Sequence, residues 1–206
     1  MRAAWERFYE TRRRPWAGAV ELPDIPEGSL VLETGCGGGR LLGALARGRP
    51  GLSVVGTDLS RASLLPLAAQ FPGALLQADI AALPFRDGSF DAVLCRHVLG
   101  HLPGAGRKAA AAEIMRVAKP GGSVFFEGFS TDDARFGKGR GSEPATFVRG
   151  DGIWHHYFTK EEVSGLFPSA SRAEIREKAW EERAGRARMR RAVLVAELRR
   201  PADSER

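Results

Sequence analysis

Cysteine and long apolar runs are both scarce in this chain of 206 residues, and their scarcity excludes several classes of protein. The two cysteines, Cys36 and Cys95, are too few for the disulfide framework of a small secreted domain. No apolar run approaches the roughly 18 residues that a membrane-spanning helix needs. The amino terminus is charged and aromatic and lacks the apolar core of a secretory signal. We therefore expect a cytoplasmic protein that does not enter a membrane.

Clustered metal ligands are also missing from the sequence. His97 and His101 have the i, i+4 spacing of a zinc-protease helix, but the glutamate of that motif is absent. The two cysteines lie far apart, and no third ligand accompanies the histidines. We expect no metal site.

Acidic residues are outnumbered at the two ends of the chain. The net charge is +6, of which residues 1–20 supply +3 and residues 172–206 supply +4, so the body between them is nearly neutral. Two interpretations remain open: the charge serves solubility, or it meets a phosphate-rich partner such as RNA.

Short apolar runs alternate with helical stretches through the first two thirds of the chain. Strands are predicted at 29–35, 52–58, 74–79, 90–97 and 123–129, and helices at 40–48, 60–71 and 107–118. Ser60 is the expected N-cap of the second of these helices. This alternation predicts βαβ units, and hence a parallel sheet with helices on both faces.

The last third of the chain has a different character. Residues 130–158 are polar, glycine-rich and aromatic, too long for a connector and too aromatic for disorder, so we expect an ordered insert on the substrate side. A helix at 159–167 follows, with Thr159 and Glu162 as a capping box. Two strands at 173–183 and 189–200 then form an antiparallel hairpin at one edge of the sheet. We expect a single domain over 1–206.

The amino terminus is predicted to be a helix. Trp5, Phe8 and Tyr9 lie at helical spacing within residues 1–20. They either pack against the body or form a lid over a ligand.

The stretch LETGCGGGR (32–40) places a glycine-rich turn between a buried strand and a helix. Gly35, Gly37 and Gly39 leave backbone N–H groups open to a ligand at a helix N-terminus. Their G-x-G-x-G spacing differs from the G-x-G-x-x-G of dinucleotide binders, and the acid Glu33 repels a pyrophosphate but attracts an ammonium group. A tight turn without a ligand is the alternative. Cys36 has no base beside it in the sequence, so we do not expect it to be a nucleophile.

Acids also end the next two strands. Asp58 can accept hydrogen bonds from both hydroxyls of a ribose, although it can equally cap the following helix. Asp79 can meet an exocyclic amine, and Ile80 can pack on a purine face.

Four stretches resemble, in order and spacing, the motifs of class I S-adenosyl-L-methionine-dependent methyltransferases of the type 11 group: VLETGCGGG, VVGTDLS, QADIAALPFRDGSFDAV and RVAKPGGSVFF. The resemblance covers about residues 29–129. It implies an α/β fold with a doubly wound, mostly parallel seven-stranded sheet of Rossmann-like type and a C-terminal antiparallel hairpin. It also implies S-adenosylmethionine as the cofactor.

By position, the resemblance assigns roles to individual residues. Glu33 and the loop from Gly35 to Gly39, with Cys36, would hold the methionine moiety. Asp58 would bind the ribose hydroxyls. Asp79 and Ile80 would hold the adenine with Leu59 on its other side. Arg96 or His97 would lie beside the sulfonium.

A narrower resemblance concerns the ends of the chain. TFVRGDGIWHHYFTKEEVSGLF and AWERFYETRRRPW are similar to stretches of the tRNA 3-methylcytidine methyltransferases. This implies methyl transfer to a nitrogen or oxygen nucleophile of a tRNA base. A small metabolite is the alternative acceptor. A non-catalytic, cofactor-binding partner subunit is the third alternative. His97, His155 and His156 are the candidate bases.

Overall fold

The computed structural model describes residues 1–11, 20–71, 73–184 and 187–203. Within these ranges the strands are β1 (Leu30–Thr34), β2 (Ser53–Asp58), β3 (Ala74–Gln77), β4 (Phe90–Arg96), β5 (Ala118–Phe129), β6 (Arg140–Glu143), β7 (Thr146–Val148), β8 (Trp154–His156), β9 (Arg172–Ala184) and β10 (Ala187–Arg199). The helices are α1 (Arg2–Thr11), α2 (Arg40–Gly48), α3 (Arg61–Ala68), α4 (Gly104–Val117) and α5 (Lys160–Leu166). None of these helices is long and apolar enough to cross a membrane.

Seven strands form the central sheet in the order β3-β2-β1-β4-β5-β10-β9. The five strands from β1 to β5 run parallel to one another, whereas β10 pairs antiparallel with both β5 and β9. This confirms the predicted α/β fold with its mostly parallel seven-stranded sheet and reversed last hairpin. The carboxyl ends of β1, β2 and β4 meet at one edge of the sheet, which is where ligands bind in open α/β folds.

Helices cover both faces of the sheet because its central strands are apolar on both faces. On one face, Val31 of β1 belongs to an apolar cluster with Leu42 of α2 and Leu64 of α3. On the other, the next residue, Leu32, lies in a cluster with Ile114 of α4 and Val163 of α5. Alternate residues of one strand thus face opposite layers, as the strand period requires.

The predicted elements agree with the observed ones to within a few residues, except inside the insert. Helix α2 has the predicted bounds, and α5 begins after Thr159, whose hydroxyl accepts a hydrogen bond from the N–H of Glu162 at 3.2 Å. The capping box is incomplete, however, because the carboxylate of Glu162 binds His156 at 2.8 Å. The prediction of two reciprocal caps was therefore half wrong.

The insert of residues 130–158 has its own sheet, which the sequence pattern did not predict. Strands β6, β7 and β8 pair antiparallel, and the chain returns beside the end of β5, where the N–H of Phe158 donates to the carbonyl of Phe129 at 2.7 Å. The insert therefore lies next to the carboxyl edge of the central sheet.

One buried carboxylate anchors the start of the insert to β10. Asp133, whose side chain is fully buried, accepts hydrogen bonds from the guanidinium groups of Arg135 at 2.8 Å and Arg191 at 2.9 Å, and from the N–H of Ala192 at 3.2 Å. Burial raises the pKa of Asp133, but the bonds from Arg135 and Arg191 outweigh it and lower the pKa to about 2. Its carboxylate therefore stabilises the fold above the ordinary pKa of aspartate, and this contribution is lost as the pH falls from about 4 to 2.

We expect Asp133→Ala to lower the free energy of unfolding by about 3 kcal/mol, because it leaves two guanidinium groups without their buried partner. Urea denaturation at pH 7 measures this loss. The exposed neighbour Asp132 provides the matched control, and Asp132→Ala should change stability by less than about 0.5 kcal/mol. Equal effects of the two substitutions would contradict the anchoring role.

Candidate functional site

The glycine-rich turn between β1 and α2 has the backbone conformation that its sequence suggested. Gly35, Gly37 and Gly39 have φ angles of 62°, 52° and 73°, in the left-handed region that favours glycine. A Cβ atom on Gly35 would lie 2.3 Å from Val98, and one on Gly37 would lie 2.4 Å from the Tyr9 hydroxyl oxygen. The turn is therefore a bare cradle that larger residues would fill.

Glu33 lies beneath this cradle without an ionic partner among the described residues. It is 6% exposed, and its Oε2 atom is buried with no hydrogen-bond partner in the described part of the chain. Burial raises the pKa of Glu33 to about 8, although the charge of Arg96 offsets part of the effect. A ligand that brings an ammonium group would supply the missing partner.

Asp58, at the end of β2, ties the turn to the start of α3. Its Oδ2 accepts from the N–H of Gly37 and its Oδ1 from the N–H of Ser60, both at 2.8 Å. Each oxygen keeps capacity to accept another hydrogen bond, so the carboxylate fits a pair of ribose hydroxyls. Burial raises the pKa of Asp58 above its ordinary value.

The cap of α3 differs from the prediction. Ser60 occupies the N-cap position, but its side chain makes no capping hydrogen bond. Instead Glu6 of α1 accepts hydrogen bonds from the Ser60 hydroxyl and from the N–H groups of Arg61 and Ala62, each at 2.9 Å. A carboxylate at a helix N-terminus is favoured by the helix dipole, and here it also fastens α1 to the body.

Helix α1 lies along the cleft between the glycine turn and the loop after β4. Tyr9 lies over Gly37, and the Trp5 ring packs against His101 with centroids 4.8 Å apart. Met1 and Arg2 line the far end of the cleft. Residues 12–19 of the predicted segment 1–20 lie outside the described residues, and the lid role of α1 stays a prediction.

A cavity of about 570 Å³ lies beyond Asp58, between α1, the end of β3 and the loop before α4. Leu59 and Asp79 line it, and the exposed Asp79 fixes its own turn by accepting from the N–H of Ala81 at 2.9 Å. Ile80 is 7% exposed and belongs to the apolar core rather than to this lining. The cavity thus has the carboxylate and the apolar wall that an adenine requires, with Leu59 as the wall.

The last residue of β4, Arg96, and the next residue, His97, form an ionic group with a carboxylate on β5. Glu127 accepts from the Arg96 guanidinium at 2.6 Å and lies 2.8 Å from His97 Nε2. Burial raises the pKa of Glu127, but His97 and Arg96 outweigh it and lower the pKa to about 2. Among the described contacts, the Arg96 guanidinium donates to Glu127 and to the carbonyl of Glu21, and it makes no hydrogen bond to Glu33.

His97 is held in an unusual position by these contacts. Its φ angle of 58° is left-handed, which few non-glycine residues adopt outside functional or tightly constrained sites. Its Nδ1 is buried and has no partner in the described part of the chain, and its ring packs against Phe129 at 4.6 Å. This nitrogen therefore lacks a hydrogen bond unless a bound molecule supplies one.

The histidines of the insert have different environments. His156 is engaged at both nitrogens, by the Thr146 hydroxyl at 2.7 Å and by Glu162 at 2.8 Å, which is a structural role. His155 is 8% exposed, and neither of its ring nitrogens has a partner among the described residues. Its ring packs against His101 at 5.2 Å.

The two polar residues of the β7–β8 turn also have distinct roles. Asp151 accepts from the N–H of Ile153 at 3.0 Å and so shapes the turn. Arg149 instead donates to the Tyr157 hydroxyl at 2.8 Å.

Both cysteines are buried and unbridged. Burial raises the pKa of Cys36 far above its ordinary value, and raises that of Cys95 to about 12. Neither is a thiolate near pH 7. Within the described ranges no three potential ligands are clustered closely enough to hold a metal ion.

Two residues of this site were missed from the sequence. Glu127 is the only charge in the apolar run SVFFEGF (123–129), and that isolation was a usable signal of a buried functional carboxylate. Glu6 gave no signal, because its contact with Ser60 joins positions 54 residues apart.

The pKa of Glu33 leads to a test of the cradle with S-adenosylhomocysteine, the demethylated form of the cofactor. The free protein holds a proton on Glu33 below about pH 8, whereas the ammonium of the ligand favours the carboxylate. Binding must therefore remove this proton, and the affinity should fall about 10-fold between pH 8 and pH 6.5. Calorimetry at several pH values measures the fall.

Glu33→Gln is the matched control, since it keeps the shape and cannot titrate. We expect it to bind more weakly than the wild type at pH 8 and with no such dependence on pH. If the wild type and the variant show the same pH dependence, Glu33 does not hold the ammonium group.

Comparisons with known proteins agree with this geometry. Residues 32–126 match the family described as methyltransferase domain. The chain is 38% identical over 119 residues to the tRNA (carboxymethyluridine(34)-5-O)-methyltransferase ALKBH8 of Macaca fascicularis, covering 57% of this chain and 17% of that protein. It is 27% identical over 188 residues to the tRNA N(3)-methylcytidine methyltransferase Mettl2 of Drosophila melanogaster, covering 82% of this chain and 58% of that protein.

Among solved structures, a SAM-dependent methyltransferase of Methanosarcina mazei superposes with a TM-score of 0.71 at 23% identity, over 87% of this chain and 95% of that one. This likeness shows the fold. The chain spans less than two thirds of the two tRNA methyltransferases that it matches. From the matched family, the motif order and the sheet topology, residues 32–126 belong to a class I S-adenosylmethionine-dependent methyltransferase domain.

Proposed function

We propose that this chain transfers the methyl group of S-adenosylmethionine to a nitrogen or oxygen nucleophile of a tRNA nucleotide, by direct in-line displacement. The names of the two relatives, both tRNA methyltransferases, support this acceptor class. The net charge of +6 is consistent with a polyanionic substrate.

One observation carries the proposal of catalysis: the pairing of His97 with Glu127 beside the cofactor cradle. A carboxylate that accepts from Nε2–H selects the imidazole tautomer whose Nδ1 carries a lone pair. That Nδ1 is buried and unpaired among the described residues. A base oriented by a carboxylate is the arrangement that proton removal from an incoming nucleophile requires.

The remaining residues hold and shield the cofactor. S-adenosylmethionine supplies an electrophilic methyl group on a sulfonium, which is a good leaving group. The protein therefore contributes mainly alignment and exclusion of water. In this proposal Glu33 binds the ammonium, Asp58 binds the ribose and Leu59 packs on the adenine, while α1 covers the cleft. His97 takes the proton of the acceptor, and Glu127 stabilises the resulting imidazolium.

His155 is proposed to contact the acceptor. Burial, followed by the nearby His101, lowers the pKa of His155 to about 3, so its ring is neutral near pH 7. Its two unpaired nitrogens can donate and accept one hydrogen bond each, which suits the polar edge of a base. His156 is left out of this role, since both of its nitrogens are engaged.

The geometry favours an RNA acceptor over a small metabolite enclosed by the aromatic insert. The rings of Phe129, Phe136 and Phe147 pack around Tyr157 at centroid distances of 5.5 to 6.1 Å. These rings contact one another in the place where the insert would otherwise enclose a small metabolite.

We expect label from methyl-tritiated S-adenosylmethionine to appear in one nucleoside of total tRNA from the source organism. Nuclease digestion and chromatography identify that nucleoside. Label found only in a metabolite extract would contradict the RNA acceptor. Absence of transfer to either fraction, with S-adenosylhomocysteine still bound, would instead favour a non-catalytic, cofactor-binding subunit.

We expect His97→Asn to lower kcat by about 100-fold or more while changing the affinity for S-adenosylhomocysteine by less than about 3-fold. Asparagine tolerates the left-handed backbone, so the loss reports on the imidazole rather than on the fold. Single-turnover methylation of tRNA measures the rate. An unchanged rate would remove His97 from the proton transfer. That result is expected for an acceptor that is already ionised, such as a carboxylate, because it needs no base.

A further inference from the structure

A second cavity of about 790 Å³ opens on the insert, away from the cavity that Leu59 and Asp79 line. Its walls come from the segment before β6, the turn between β7 and β8, and β10. Its lining contains Met189, Val148 and three glycines, and no acidic residue is part of it. Four cationic residues complete the lining: Arg135, Lys138, Arg140 and Arg149. We call this cavity the cationic groove.

Three of these four cations lack an acidic partner. Arg135 is paired with Asp133, as described above. Within the described ranges, Lys138, Arg140 and Arg149 have no carboxylate oxygen within 4 Å, in a chain that carries 25 acidic residues. Like charges that gather without counter-charges repel one another, and an anion relieves that repulsion.

Arg149 is the most constrained of the three. It is half-buried, and its Nε is buried with no partner among the described residues. Such an N–H group lacks a hydrogen bond until an acceptor arrives. The charges of Arg149 and Arg135 also act on His155. Burial and His101 lower the pKa of His155 most, and Arg149 and Arg135 lower it further.

An aromatic ring stands beside the groove. Phe136 is 43% exposed, and its ring packs in a T-shaped arrangement against that of Phe147, with centroids 5.4 Å apart. It follows Arg135 and precedes Lys138 by two positions. Exposed aromatic rings interleaved with cations are the pattern by which proteins bind single-stranded nucleic acid, with bases stacked on the rings and phosphates on the cations.

The groove lies close to the proposed acceptor position. Arg149 donates to Tyr157, whose ring is 6.0 Å from that of Phe129, and the Phe129 ring is 4.6 Å from His97. One aromatic layer therefore separates the groove from the candidate base. A strand that places one nucleotide beside His97 carries its flanking phosphates toward the groove.

We propose that the cationic groove binds backbone phosphates of the RNA strand that bears the acceptor nucleotide, with Phe136 stacking a flanking base. This inference rests on the proposed function and specifies how the substrate is held. The guanidinium of Arg149 and the cations of Lys138 and Arg140 contact phosphate oxygens, and the glycines of the wall allow the strand to approach closely. Contacts of this kind position the strand without reading its sequence.

The test compares two double variants that remove the same charge. Lys138→Ala/Arg140→Ala changes the groove. Arg47→Ala/Arg86→Ala changes two exposed cations in the last turn of α2 and in the turn before β4, at the opposite edge of the sheet. The probe is a fluorescein-labelled, single-stranded RNA of mixed sequence, titrated by anisotropy at several salt concentrations.

We expect the groove variant to bind the RNA about 10-fold more weakly than the wild type at 50 mM salt. The slope of log K against log salt should become shallower by about 1.4, since each lost contact to a single strand removes about 0.7. The control variant should bind within about 2-fold of the wild type. Phe136→Ala should weaken binding by about 5-fold or more and leave the salt slope unchanged.

Three results would overturn the proposal: unchanged binding by the groove variant, an equal loss in both double variants, or displacement of the RNA by poly-glutamate at equal charge concentration. The last result would assign the groove to an acidic protein.

Methylation of tRNA separates this inference from the function on which it rests. If wild-type protein methylates tRNA and the groove variant keeps its KM, only the groove proposal fails. If wild-type protein transfers no methyl group to tRNA while the groove still binds RNA, only the proposed function fails.

Discussion

The unpaired carboxylate of Glu33 is the constraint on which the rest of the site depends. A buried acid without a cation is costly, and the protein lowers this cost by holding a proton on Glu33 up to about pH 8. The charge of Arg96 lowers the pKa of Glu33 only in part, and the Arg96 guanidinium is hydrogen-bonded to Glu127. The arrangement leaves a carboxyl group without a cation, which a ligand that carries its own positive charge can ionise and pair. Such a site favours a cofactor that bears an amino acid, such as S-adenosylmethionine, over a dinucleotide.

Glu127 connects this cofactor side to the acceptor side. One of its oxygens binds Arg96 and the other binds His97, so a single carboxylate keeps a cation from Glu33 and orients the candidate base. His97 then contacts Phe129, and Phe129 begins the aromatic layer of the insert. The insert is fixed to β10 by Asp133, and its cations line the cationic groove next to that layer. The proposed cofactor site, the candidate base and the cationic groove therefore follow one another along a continuous set of contacts.

The fold was largely predictable from sequence because local patterns determine it. The buried strand before Gly35 and the acid at Asp58 follow from period and position, and the observed strand order agrees with them. Long-range partners were not predictable in this way: Glu6 replaces Ser60 as the cap of α3, and Ile80 belongs to the core rather than to the cavity. The three short strands of the insert were missed because polar, glycine-rich strands such as β6 carry no apolar alternation.

The most direct test of the central claim is a crystal structure of the protein with S-adenosylhomocysteine. The account predicts the amino group of the ligand within hydrogen-bonding distance of Glu33 Oε2, the ribose hydroxyls on Asp58, and the sulfur facing His97. A ligand bound elsewhere, or one whose amino group leaves Glu33 unpaired, would contradict the account.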